Sequence, residues 1–195
     1  MINIVIDLDN TVAIYDDLIL EICNDLKVGI PEACKSKLSI SNYLKSSDRN
    51  DLWTEIQGIC YGPKMYQAKV ATGFRKYAEF LKKSNCRLTL VSHKTQFPAS
   101  GLEVDLRLAA RSWIDQNLYG VFDTIYFENT LISKVSRIKK IDPRLLVDDL
   151  ESVLLKSELG KDRSVLIHNF ETECRSQYYQ TITTWDRVRQ KINLK

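Results

Sequence analysis

The sequence predicts an α/β fold: a doubly wound parallel sheet with a small α-helical insertion after its first strand. Three observations predict it. Short, nearly continuous apolar runs rich in β-branched residues recur at residues 2–6, 87–91, 121–127, 145–147 and 165–167. Between them lie stretches whose apolar residues follow helical spacing, the mark of an amphipathic helix. Strands that are apolar on both faces and alternate with helices imply a parallel sheet covered on both sides. Residues 16–62 alone break the alternation, with helical spacing and no convincing strand.

The elements follow in order. The first strand, Ile2-Asn3-Ile4-Val5-Ile6, runs directly into Asp7-Leu8-Asp9-Asn10-Thr11. In the insertion, Leu18, Ile22 and Leu26 share one helical face and Leu52, Ile56 and Ile59 another, with an N-cap expected at Asp48 or Asn50. Phe74, Tyr77, Ala78 and Leu81 mark the next helix, and the strand after it is expected to end at Val91, just before Ser92. Ala109, Trp113, Ile114 and Leu118 form a further stripe. Thr130 is the expected N-cap of a helix carrying Leu131, Val135 and Ile138, which must stop before Pro143. Asp148-Asp149 follow the strand Leu145-Leu146-Val147, and Trp185, Val188 and Ile192 suggest a terminal helix. The expected organisation is an α/β core of residues 1–15 and 63–195 with a helical segment at 16–62.

Composition sets mild bounds. A chain of 195 residues, 44% hydrophobic and 27% charged, can bury a sizeable core. The net charge of +3 is too small to argue for nucleic acid as a partner. Residues 27–76 nevertheless hold nine Lys or Arg against four acids, so most of the positive charge sits in and beside the insertion. The five cysteines are odd in number, scattered, and free of any Cys-x-x-Cys pair. They read as reduced thiols of a cytoplasmic protein. No apolar stretch approaches the roughly 20 residues of a membrane span, and the N-terminus lacks the pattern of a signal peptide.

The chemistry is expected at the strand ends. Residues two apart in a strand project to one side, and open α/β sheets keep reactive groups at the carboxyl ends of their strands. Asp7 and Asp9 therefore place two carboxylates close together, and such a pair asks for a cation or a shared proton. Oxygen ligands favour Mg²⁺ or Ca²⁺. Asp148 and Asp149, at the end of another strand, add carboxylates to the same edge. The Ser92 hydroxyl is placed to meet an oxyanion. Lys134, near the start of its helix, opposes the macrodipole, which suggests a purpose other than helix stability. Arg137, Lys139 and Lys140 near the helix end need no such account.

The ordered set Asp7-x-Asp9-x-Thr11, Ser92, Lys134 and Asp148-Asp149 resembles the four motifs of the haloacid dehalogenase superfamily of phosphohydrolases. The resemblance spans residues 2–150. It implies a Rossmann-like core, a small cap at 16–62, and Mg²⁺-dependent hydrolysis of a small phosphomonoester through an aspartyl-phosphate. It also implies roles. Asp7 would be the nucleophile and Asp9 the general acid and then base, with its backbone carbonyl on Mg²⁺. Asp148 and Asp149 would complete the metal shell, and Ser92 and Lys134 would hold the phosphoryl oxygens. The cap position and the Thr72-Gly73-Phe74 helix entry look somewhat like small 5′-nucleotidases. A small phosphorylated metabolite, a nucleotide or a sugar phosphate, is the implied substrate.

Plainer readings stand beside these. Asp-x-Asp-x-Thr alone fits a turn with an N-cap, Ser92 alone an ordinary loop residue, and Asp148-Asp149 a helix cap. His93 and His168 have no spacing of a ligand pair. Tyr43, Trp53, Tyr61 and Tyr66 could stack on a base or sugar, although aromatics at helical spacing are commonly core. Two further functions differ in class. A phospho-accepting receiver would carry its acid pairs in the opposite order, and a binding module without catalysis would have no need of both Asp7 and Asp9.

Overall fold

The computed structural model describes residues 1–99, 103–168 and 176–191. Cys174 and Ile192 lie outside them. The chain runs β1 (Ile2–Ile6), β2 (Ala13–Ile14), α1 (Asp16–Asp25), α2 (Lys37–Ser46), α3 (Asn50–Tyr61), β3 (Lys69–Val70) and α4 (Phe74–Lys83). It continues through β4 (Cys86–His93), α5 (Leu106–Leu118), β5 (Thr124–Glu128), α6 (Leu131–Ile141) and β6 (Leu145–Asp148). The last elements are α7 (Glu151–Ser157), β7 (Ser164–Ile167), β8 (Gln180–Ile182) and α8 (Trp185–Lys191).

Six strands form one parallel sheet in the order β5-β4-β1-β6-β7-β8, and β2 pairs with β3 in a second, two-stranded sheet. The strand order grows from β1 through β4 to β5 on one side and from β6 through β7 to β8 on the other. The reversal falls between β1 and β6, the kind of switch point where open α/β sheets bind ligands. Every strand expected from the sequence is present. β8 was not expected, because Gln180-Thr181-Ile182 carries little apolar signal and is held by its pairing with β7.

Two compact units organise the chain. The first, Met1–Ile14, Val70–Lys94 and Leu118–Lys195, carries the six-stranded sheet. Alternation along β1 sends Val5 into a core with Val91 and Leu146 of the sheet, Val135 and Ile138 of α6, and Val153 and Leu154 of α7. A second cluster joins α4 to α8: the Phe74 and Trp185 rings meet edge to face at 4.9 Å, and Tyr77 lies 5.4 Å from Trp185.

The other unit, Tyr15–Lys69 and Thr95–Asn117, contains the three helices α1–α3 and nearly all of α5. Leu18, Ile19 and Ile22 of α1 and Trp53, Ile56 and Cys60 of α3 are buried. Trp113 Nε1 donates to the Ala68 carbonyl at 2.8 Å, a tie across 45 residues of sequence. α2 was not expected. Its serine-rich sequence has weak propensity, and a Ser36/Ser39 capping box with the buried Ile40 and Leu44 holds it. Neither Asp48 nor Asn50 caps α3; its N-cap is Arg49, because Asp48 sits at φ 55° just beyond α2. Trp53 is core and Tyr66 is 64% exposed. Cys23, Cys34 and Cys86 are free thiols, and Cys60 is buried. No helix among the described residues is long and apolar enough to cross a membrane.

Candidate active site

Strand register brings the acids together. Ile6 of β1 pairs with Val147 of β6, so the next residue on each strand, Asp7 and Asp148, stands level with the other across the switch point. The Asp7 N–H donates to the Val147 carbonyl at 3.0 Å, which extends the ladder one step past β1. Both side chains are buried, Asp148 completely. The Asp148 Oδ1 accepts from the Leu150 N–H at 3.0 Å, so the residue also does the plain work of closing a turn before α7.

Lys134 reaches the same place from α6. That helix opens on a capping box in which Thr130 and Ser133 satisfy each other's backbone N–H groups. Four residues past Thr130, the buried Lys134 ammonium lies 2.7 Å from Asp7 Oδ1 and 2.7 Å from Asp148 Oδ2. This bridge accounts for a cation placed against the helix dipole. Burial alone would lower its pKa, but the two carboxylates outweigh that and hold the ammonium charged. At the other end of α6, Lys139 pairs with Glu158, as an ordinary surface cation does.

Asp7, Asp148 and Asp149 each offer a carboxylate oxygen within 4.8 Å of the others. Two oxygens on opposite sides of an octahedral Mg²⁺ stand about 4.2 Å apart, so the donor set fits a divalent cation in size and chemistry. Charge points the same way. With all three acids ionised, three carboxylates against one ammonium give the cluster two negative charges. Burial raises the Asp7 carboxyl well above its ordinary value; Lys134 opposes this, while Asp148, Asp149 and Asp9 add to it. Asn10, at φ 60°, donates through Nδ2 to Asp149 Oδ2 at 3.4 Å. Asparagine tolerates this left-handed backbone well.

Asp9 goes elsewhere. β1 ends at Ile6, so two-residue alternation no longer governs the loop, and Leu8 between the two acids is wholly buried. The Asp9 carboxylate meets the Lys94 ammonium, with Nζ 3.2 Å from Oδ1 and 3.1 Å from Oδ2. Its side chain is therefore not in the carboxylate cluster that Asp7 forms with Asp148 and Asp149.

Ser92 lies inside β4 rather than after it, because β5 continues to pair alongside as far as His93 and Glu128. Its hydroxyl is buried without a hydrogen-bond partner among the described residues, as is that of Thr11. Orphaned buried polar groups are uncommon; Tyr77 and Ser164 carry others elsewhere in the fold, whereas Thr11 belongs to the loop that carries Asp7 and Ser92 to the strand beside β1. The histidines do not join the cluster: His93 Nε2 sits 3.1 Å from the Asn129 carbonyl, and burial lowers the His168 pKa. The sequence reading missed Lys94 and Asn10. Its only available signal was their position within the Ser92 and Asp7 segments.

No protein-family model matches the chain, and no curated protein matches it in sequence. Solved structures do match its fold. A HAD hydrolase of family IA, variant 3, from Entamoeba histolytica aligns with a TM-score of 0.62 and 14% identity over 98% of each chain. The HAD-hydrolase YfnB of Bacillus subtilis, solved with bound magnesium, aligns at 0.61 and 11% identity over 99% of each. A mutant of CbbY from Rhodobacter sphaeroides, in complex with xylulose-(1,5)bisphosphate, aligns at 0.56 and 13% identity over the full length of both. The six-stranded parallel sheet and its flanking helices thus have the fold of HAD-superfamily hydrolases.

Proposed function

We propose that this protein is a Mg²⁺-dependent phosphatase that hydrolyses a small phosphomonoester through an aspartyl-phosphate on Asp7. The observation that carries the reading is the buried cluster in which Lys134 bridges Asp7 and Asp148 at 2.7 Å each. With the half-buried Asp149 at its edge and all three acids ionised, the cluster carries two negative charges, which burial does not favour unless a divalent cation completes it. The HAD hydrolase fold, and neighbours whose structures hold magnesium or a sugar bisphosphate, support it.

Asp7, Asp148 and Asp149 would hold Mg²⁺, with the Asp9 backbone carbonyl as a further oxygen. Bound there, the ion would supply positive charge to offset that of the phosphoryl oxygens and help place the phosphorus for in-line attack. A carboxylate oxygen of Asp7 attacks phosphorus, splitting hydrolysis into two easier displacements. Asp9 gives a proton to the departing oxygen, then takes one from the water that releases phosphate from Asp7. The Ser92 hydroxyl and the Lys134 ammonium hold equatorial oxygens as charge gathers on them. The helical residues 16–62 act as a cap that selects the substrate, a nucleotide or a sugar phosphate, and the protein works in the cytoplasm.

Turnover of 4-nitrophenyl phosphate and of a panel of phosphorylated metabolites, with Mg²⁺ and with EDTA, tests the reading. Mg²⁺-dependent release of phosphate that Asp7→Asn abolishes supports it. Absent turnover across the panel, or turnover indifferent to metal, overturns it.

A further inference from the structure

Lysine is among the residues least often buried, yet Lys94 is only 4% exposed. Its backbone N–H donates to the Glu128 carbonyl at 2.9 Å, so the end of β4 fixes the root of the side chain. Its ammonium straddles both oxygens of Asp9, whose side chain is 18% exposed. Burying an ion pair seldom gains stability over apolar packing, so stability does not explain a lysine here. Asp9 sits in the loop beyond the last residue of β1, where its backbone forms an isolated bridge with Ala13.

We propose that Lys94 is the positioning residue for Asp9. Resting on the phosphatase reading above, the assignment concerns one step of it. When the ester P–O bond breaks, its electron pair goes to the leaving oxygen, which takes the proton from an Asp9 carboxyl oxygen. In the second displacement the Asp9 carboxylate takes a proton from the attacking water, whose oxygen bonds to phosphorus, and the electron pair of the P–O bond to Asp7 returns to the Asp7 carboxylate. Both transfers need the same group aimed at the same spot. Lys94 grips both oxygens of the Asp9 carboxylate; when one oxygen carries the proton to be donated, the ammonium keeps hold of the other, so in both steps it removes the side-chain rotation that would spoil the aim.

Leaving-group dependence separates this role from a structural one. An ester with an acidic leaving group departs without needing a proton, whereas a less acidic one needs the aimed acid. Lys94→Met should therefore lower kcat/KM for phenyl phosphate about tenfold more than for 4-nitrophenyl phosphate, a part of the 10²–10⁴ that general acids contribute. The loss should fall on kcat, with KM little changed. In an Asp9→Asn background the same substitution should change turnover of 4-nitrophenyl phosphate by less than about twofold, since the two act as one unit. The double variant leaves no unpaired buried charge, and in Asp9→Asn the amide carbonyl oxygen still accepts from the Lys94 ammonium, so this comparison stands even if Lys94→Met alone fails to fold. Equal losses on the two esters, or a further large loss in the Asp9→Asn background, would overturn the assignment while leaving the phosphatase reading intact. A wild-type protein that hydrolyses no phosphate ester would overturn both.

Discussion

Replacing Lys134 by Met is the sharpest test of the buried cluster. Methionine keeps most of the side-chain length and removes only the ammonium, so packing changes little. The ammonium stands 2.7 Å from oxygens of both Asp7 and Asp148, and all three side chains are at most 4% exposed. At an effective dielectric of 20, each contact at that distance is worth about 6 kcal/mol before desolvation. Burial of the three groups offsets most of that, and removing one partner of a buried pair costs about 3–5 kcal/mol. For a domain of this size each kcal/mol moves Tm by about 2–4 °C, so Lys134→Met should melt about 6–20 °C lower at neutral pH. The deficit should shrink as pH falls, because protonation of Asp7 removes one of the stranded charges. Thermal melts in EDTA at pH 5 and pH 8 measure both effects. A variant that melts within 2 °C of the wild type at pH 8 would show that Lys134 does not carry the charge balance of the cluster.

Three more outcomes follow from the same geometry. Burial holds the Asp7 carboxyl above its ordinary 3.8, so between about pH 4 and its raised pKa the folded state keeps a proton that the unfolded state releases. Stability in EDTA should therefore fall as pH rises through that window, and the gain in Tm on adding Mg²⁺ should grow with pH; a gain independent of pH would count against the proposed ion site. Thr130→Ala removes half of the capping box that opens α6 and should cost about 1 kcal/mol in urea unfolding, with no measurable loss if the box is idle. Gly73, at φ +83°, has Asp186 Oδ2 3.0 Å from where a Cβ would stand. Gly73→Ala should cost about 1–2 kcal/mol, mostly from the left-handed backbone, and a neutral result by differential scanning calorimetry would contradict that strain.

The elements that could be read in the sequence were those whose signal is local. Ile4, Val5 and Ile6 announce a buried strand, and Thr130 announces the start of α6, because burial pattern and capping act within a few residues. α2 and β8 escaped notice because weak local preference was overridden by burial and by pairing with β7. The misplaced end of β4 has a similar cause, since Ser92 and His93 are strand residues only because β5 runs beside them.

The sequence by itself determined which chemistry the chain can carry: the acids at two strand ends, the lysine at the start of α6 and the serine expected just after a strand. Only the tertiary structure decided how those groups pair. The parallel register of β1 and β6 sets Asp7 level with Asp148 and lets Lys134 join them. The end of the β1 ladder sends the Asp9 carboxylate away from that cluster to Lys94, a residue 85 positions along the chain. Periodicity constrains neighbours within a few residues, whereas contacts across such distances exist only once strands have chosen partners.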